Sequence, residues 1–192
     1  MLTNPPHSNT LKGKDLQAKT RVLLDSPYFT GVTDNYPFSE KRLIYLVLAG
    51  LKPVAEVQSG HWEVRPGGRE TVPDDPAKVG KLLDALGLAY NLASSKHATL
   101  AVVASTPELV EAYLQATELG EIGRLLGYPE TAVVAFCAGE DELLPPEEFA
   151  KALDSAGLQS PEVSFRLSRR HWKEELEQSK QWYAALQEVG LA

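Results

Sequence analysis

"VAEVQSGHWEV" at 54–64, followed by "RPGGRE" at 65–70, is the stretch that decides the fold class. Its valines, tryptophan and partial alternation have β character, and the Pro-Gly-Gly sequence is a strong turn signal. Two strands flanking 66–68 make a hairpin, although the second arm, "ETVP", is short. Downstream, "AYNLAS" (89–94) and "ATLAVVAS" (98–105) read as two more strands around a polar turn at 94–97.

Helical patterns surround these strands. A helix is expected over 14–25, with Leu16, Lys19, Val22 and Leu23 near one face. "DSPYFTGVTDNYPF" (25–38) is turn-rich, with aromatics that need cover. Ser39 then reads as an N-cap, with Arg42 where a capping box would place an acid. The helix it opens, "EKRLIYLVLAG" (40–50), is apolar nearly all round from Leu43 to Leu48 and should be central, closed by Gly50 and Pro53. "PDDPAKVGKLLDALGL" (73–88) repeats apolar residues at helical spacing, and its paired aspartates most simply cap it. Thr106, Pro107 and Glu108 form a helix start, with Leu109, Val110, Tyr113 and Leu114 as its buried stripe. "LLPPEEFAKALDSAG" (143–157) is a further short helix, "EVSFRLS" (162–168) alternates like a strand, and a long amphipathic helix is expected from about 169 to 189. Mixed rather than alternating order implies an α+β fold, a small mixed or antiparallel sheet against several helices. Residues 1–13 read as a loose leader and 14–192 as a single α+β domain.

Composition narrows the function. The 43% apolar and 23% charged content is ordinary for a soluble globular chain. A net charge of −7 opposes adsorption to nucleic acid. No apolar run approaches the roughly 20 residues of a membrane span, and "MLTNPPHSNTLKGKD" lacks the apolar core of a secretory signal, so a cytoplasmic location is expected. Cys137 is the only cysteine, and His7, His61, His97 and His171 have no metal-ligand spacing; neither metal nor cofactor is expected. Cys137 reads as a small hydrophobe on an apolar helix face, and "GEDE" (139–142) as a solvated acidic turn. His61 and Trp62 follow Gly60 on a strand near the Pro-Gly-Gly turn, and are read there as an exposed loop with a packed tryptophan.

Two stretches carry candidate sites. In "EIGRLLGYPETAVVAF" (121–136) one helix ends at Gly127 and another restarts at Pro129, with Glu130 in its first turn. Leu125, Leu126, Val133, Val134 and Phe136 are expected in the core. Stop and start signals account for Gly127, Pro129 and Glu130 but not for Arg124 and Tyr128. A functional reading has Tyr128 and Glu130 lining a small pocket, with Arg124 beside them. In "RLSRRHW" (166–172), Ser168 reads as N-cap of the last helix, with Arg169, Arg170 and His171 in its first turn. Cations are unfavourable at that end unless an anion or nearby carboxylates offset them, and free N–H groups with two arginines and a histidine are the ingredients of a phosphate or carboxylate site. The plainer alternative pairs Arg170 with Glu174 and His171 with Glu175 at i,i+4 spacing.

"GRLLGYPETAVVAF" (123–136) also resembles the signature of a prokaryotic family known as domain of unknown function 483. That family's "GRLLGYP-E" core is followed by adjacent cysteines and an apolar-aromatic helix. "ATLAVVASTPELVEAYLQA" (98–116) is similar to the elements leading into it. The resemblance covers roughly 80–137, and the final helix only loosely. It carries over Gly123, Arg124, Gly127, Tyr128, Pro129 and Glu130 as a shape, while Thr131 and Ala132 stand where the cysteine pair would be. It implies fold kinship and no activity, and any thiol chemistry of the family does not transfer.

The sequence thus points to a binding or accessory protein for a small anionic ligand or a partner protein, with 169–171 as the anion-contacting group. An alternative is a metal-independent hydrolase or transferase with Glu130 or His171 as general acid/base. A third reading is a scaffold or homo-oligomer assembled through the C-terminal helix with Trp172, Trp182 and Tyr183.

Overall fold

The computed structural model describes residues 13–30, 39–66, 68–158 and 164–192. The expected leader up to residue 12, the aromatics at 36 and 38, and the first two residues of the expected 162–168 strand lie outside the described residues. The fold is α+β: among the described residues there are eight α-helices and one four-stranded antiparallel sheet. Its contacts cluster into two compact units, residues 1–110 and 111–192.

The first unit holds α1 (Lys14–Asp25), α2 (Lys41–Leu48), β1 (Val54–Arg65), β2 (Gly68–Pro73), α3 (Pro76–Leu86), β3 (Ala89–Ser94) and β4 (Thr99–Ala104). Two hairpins meet through their inner strands, giving the order β2-β1-β4-β3. The second arm of the first hairpin is longer than its turn-rich letters imply, because β2 begins already at Gly68 and pairs up to Pro73. His61 and Trp62 lie within β1, as the β character of 54–64 implies and not in an exposed loop, and Trp62 is exposed rather than packed.

Alternation along β1 sets the packing. Ala55, Val57 and Ser59 are buried and pair with Val103, Ala101 and Thr99 of β4, whereas Glu56 and Gln58 are exposed. The helices cover the buried face: α2 packs on β1 and β4, and α3 on β3. Helix α2 is buried on nearly every side, with Ile44, Tyr45, Leu46, Val47 and Leu48 all inside, as its uninterrupted apolar run requires. Helix α3 has a complete set of end signals. Asp75 accepts from the Ala77 N–H at 2.9 Å, Pro76 starts the helix, and Gly87 at φ 68° turns the chain back so that the Leu88 N–H reaches the Leu83 carbonyl at 3.1 Å.

Helix α4 (Pro107–Gln115) leads into the second unit, which holds α5 (Leu119–Leu125), α6 (Glu130–Ala138), a 3-10 turn (Glu140–Glu142), α7 (Pro146–Ala156) and α8 (Trp172–Glu188). In α4, Val110 is buried but Leu114 is exposed, so the expected stripe is only partly inside. Between α5 and α6, Gly127 takes φ 76° and the Tyr128 N–H closes back on the Gly123 carbonyl at 3.0 Å. Gly123 matters for a different reason. A Cβ there would lie 3.0 Å from Val133 Cγ2, so the missing side chain is what lets α6 lie close on α5.

Four local expectations are corrected. Val134 and Phe136 are 54% and 45% exposed rather than in the core, because α6 is apolar on every side and buries only Ala132, Val133 and Ala135. Cys137 is likewise exposed rather than packed. The described part of 162–168 is no strand: it contributes one antiparallel bridge, Ser168 with Leu143. Lastly, α8 starts at Trp172, and residues 169–171 form a turn before it.

Candidate functional site

Helix α6 and the turn before α8 form the walls of a cleft of about 370 Å³ within the second unit. Glu130, Thr131, Val134, Ala135 and Ala138 of α6 line one side; Glu142, Ser168, Arg170 and His171 complete it. Apolar residues on the α6 side, Val134, Ala135 and Ala138, share the cleft with polar groups, the mix expected of a small-molecule site.

The hinge fixes Glu130. Arg124 reaches back from α5 and donates from Nε to Glu130 Oε2 at 2.8 Å and from Nη2 to Oε1 at 2.7 Å, a fork that engages both carboxylate oxygens. These bonds hold the Glu130 carboxyl below the usual carboxylate range and keep it ionised. Tyr128 packs against Phe165 at 5.4 Å between ring centroids, and Phe165 in turn meets the edge of Trp182 at 6.2 Å. Gln178 of α8 donates to the Gly127 carbonyl at 2.6 Å. Arg124 and Tyr128 thus brace the hinge, and neither is among the cleft-lining residues.

The opposite wall is held by a buried carboxylate. Glu175 is only 1% exposed and accepts the Ser168 N–H at 2.8 Å and the Ser168 hydroxyl at 2.6 Å. The same hydroxyl oxygen accepts from the His171 N–H at 3.0 Å, tying the turn ahead of α8. Because α8 begins at Trp172, its first turn contains Glu174 and Glu175, the acids its dipole favours, and Arg169, Arg170 and His171 precede it. The i,i+4 partners expected for Arg170 and His171 are therefore not the ones adopted. Arg170 Nη2 faces Glu142 Oε1 at 3.5 Å, and Glu175 is taken by Ser168. Arg166 pairs with Glu140 at 3.0 Å, so the acidic turn at 139–142 is engaged by arginines rather than simply solvated.

Of the seven residues singled out in the sequence, Glu130, Ser168, Arg170 and His171 line one cleft, Arg124 stands behind Glu130, and Tyr128 and Arg169 lie off it. Thr131 and Glu142 join the cleft without having been singled out. Nothing local could have signalled Glu142, because its partner Arg170 lies 28 residues further along the chain.

A second polar constellation, in the first unit, was also missed. Asp74, 8% exposed, accepts the Ser59 hydroxyl at 2.6 Å and bonds His61 Nδ1 at 2.8 Å, while His61 Nε2 lies 3.4 Å from Glu63. The Asp74 hydrogen bond raises the His61 pKa. Of the two aspartates expected to cap α3, only Asp75 does so; Asp74 ties the end of β2 to β1. The hydroxyl sits on the carboxylate and not on the imidazole, so this is a clamp and not a nucleophile–base pair.

Among the described residues, no group of three His, Cys, Asp or Glu side chains gathers as a metal site, and no helix is long and apolar enough to cross a membrane. Comparison of the chain with family models, with curated proteins and with solved structures found no match.

Proposed function

We propose that the protein binds a small carboxylate- or phosphate-bearing molecule in the cleft between α6 and the 168–171 turn. The observation that carries this is that Arg170, His171 and Thr131 line one cleft together with apolar residues of α6. Arg170 is mostly exposed and its contact with Glu142 is long, so its guanidinium has donors to offer. Since the Glu130 charge is already matched by Arg124, this carboxylate adds little repulsion toward an incoming anion. A net charge of −7 favours a small ligand over a nucleic acid. A cytoplasmic setting belongs to the same proposal, as does kinship with domain of unknown function 483 through Gly123, Arg124 and the 127–130 hinge.

The enzymatic alternative narrows to His171. Glu130, held ionised by two hydrogen bonds from one arginine, is poorly suited to shuttle a proton. His171 lines the cleft and keeps that reading alive. The scaffold reading loses one of its aromatics, because Trp182 is buried against Phe165.

Thermal melting with inorganic phosphate, acetate, pyruvate and AMP tests binding. A ligand at a hundred times its Kd should stabilise the fold by about 2.7 kcal/mol, and Arg170→Ala should abolish the shift. Equal shifts in wild type and variant would place the binding elsewhere.

A further inference from the structure

We infer that the ligand of this cleft is an aliphatic α-amino acid, its carboxylate on Arg170 and its ammonium on Glu142. The inference rests on the binding reading above and narrows it. Two carboxylates line the cleft, and they differ in what they have left to offer. Both oxygens of Glu130 already accept from Arg124, at 2.7 and 2.8 Å, so its charge is matched. Glu142 has one long contact, to Arg170 at 3.5 Å, well beyond the 2.7–2.9 Å typical of a charge-assisted bond.

The loosely held charges of the cleft are therefore one guanidinium and one carboxylate, side by side, with the His171 ring lining the same cleft. A doubly charged phosphate would gain Arg170 but would have Glu142 as its immediate neighbour. An α-amino acid has opposite charges separated by a single carbon, and it satisfies both groups at once by inserting between them. Its side chain then has a place to go. Val134, Ala135 and Ala138 offer apolar surface on the α6 wall, and Val134 is exposed there despite being a large aliphatic residue. Thr131 adds a hydroxyl at the start of the same helix.

Isothermal titration separates the possibilities. Leucine, isoleucine, valine and methionine are the zwitterionic probes; 4-methylpentanoate is leucine without its ammonium, and 3-methylbutylamine is leucine without its carboxylate. Wild-type protein should bind at least one of the four amino acids, with leucine bound about tenfold more tightly than either truncated analogue. Glu142→Gln should weaken leucine about tenfold while leaving 4-methylpentanoate unchanged or stronger, and Arg170→Gln should do the converse with 3-methylbutylamine. Both positions are on the surface, and unchanged melting temperatures will confirm that the variants fold. If 4-methylpentanoate or inorganic phosphate binds as tightly as any amino acid, the amino-acid assignment is overturned while the anion site stands. If no probe binds, both fall.

Discussion

Arg124 and Glu130 show how one ion pair divides the hinge from the cleft. The fork between them is half-exposed, so its meaning lies less in stability than in the protonation state it imposes. The folded Glu130 carboxyl is depressed, so whatever stability it contributes is present above its unfolded pKa and lost as pH falls through the folded value. Replacing Arg124 with Gln should return the Glu130 titration, followed by carboxyl NMR, toward the ordinary range; an unchanged midpoint would show that the arginine is not the cause. Gly123 is a packing position. Alanine there gains about 1 kcal/mol of helix propensity, but its Cβ meets the buried and rotamer-restricted Val133 at 3.0 Å. Overpacking costs about 1–3 kcal/mol, so Gly123→Ala should lower stability in urea melts, and adding Val133→Ala should recover part of the loss. Strict additivity of the two would contradict the close approach.

At the scale of elements, the segment before α8 behaves as a strap tied at one buried carboxylate. Ser168→Ala removes the hydroxyl donor to Glu175 and the acceptor for the His171 N–H. Hydrogen bonds to charged groups contribute about 1.5–3 kcal/mol, and a loss of that size is expected in chemical denaturation. The β1–β2 hairpin has its own tie through His61. Its folded pKa is raised, so its stabilising effect is complete below the unfolded value of about 6.5 and fades as pH rises through the folded one. The His ring is 52% exposed, so the effect is small. The stability difference between wild type and His61→Gln should shrink between pH 6 and 8; a constant difference would remove His61 as the titrating group. These elements also mark how far sequence reasoning reached. Helix α3 was legible because Asp75, Pro76 and Gly87 are local signals, and the hairpins because β-rich runs flank turn residues. The start of α8 was misjudged because Ser168 has the letters of a cap, while its actual partner, Glu175, lies seven residues on. Val134 and Phe136 were misjudged because a helix apolar on all sides says nothing about which side faces in.

At the scale of the whole molecule, the chain comprises a sheet-bearing unit and a helical one, and every residue lining the candidate cleft belongs to the helical unit. In the sequence, α+β character was visible from the mixed order of β-rich hairpin runs and helical patterns. The cleft was visible only in fragments, since its two sides come from stretches about forty residues apart, joined by Glu142 and Arg170. Ligand protection should follow the same division. The most direct measurement is an amide NMR titration of the full chain with leucine, repeated with 4-methylpentanoate. The account predicts shifts concentrated at 130–142 and 168–171 for at least one of the two, and their loss in Arg170→Ala. Shifts centred on 54–74 instead, or none with either probe, would contradict it.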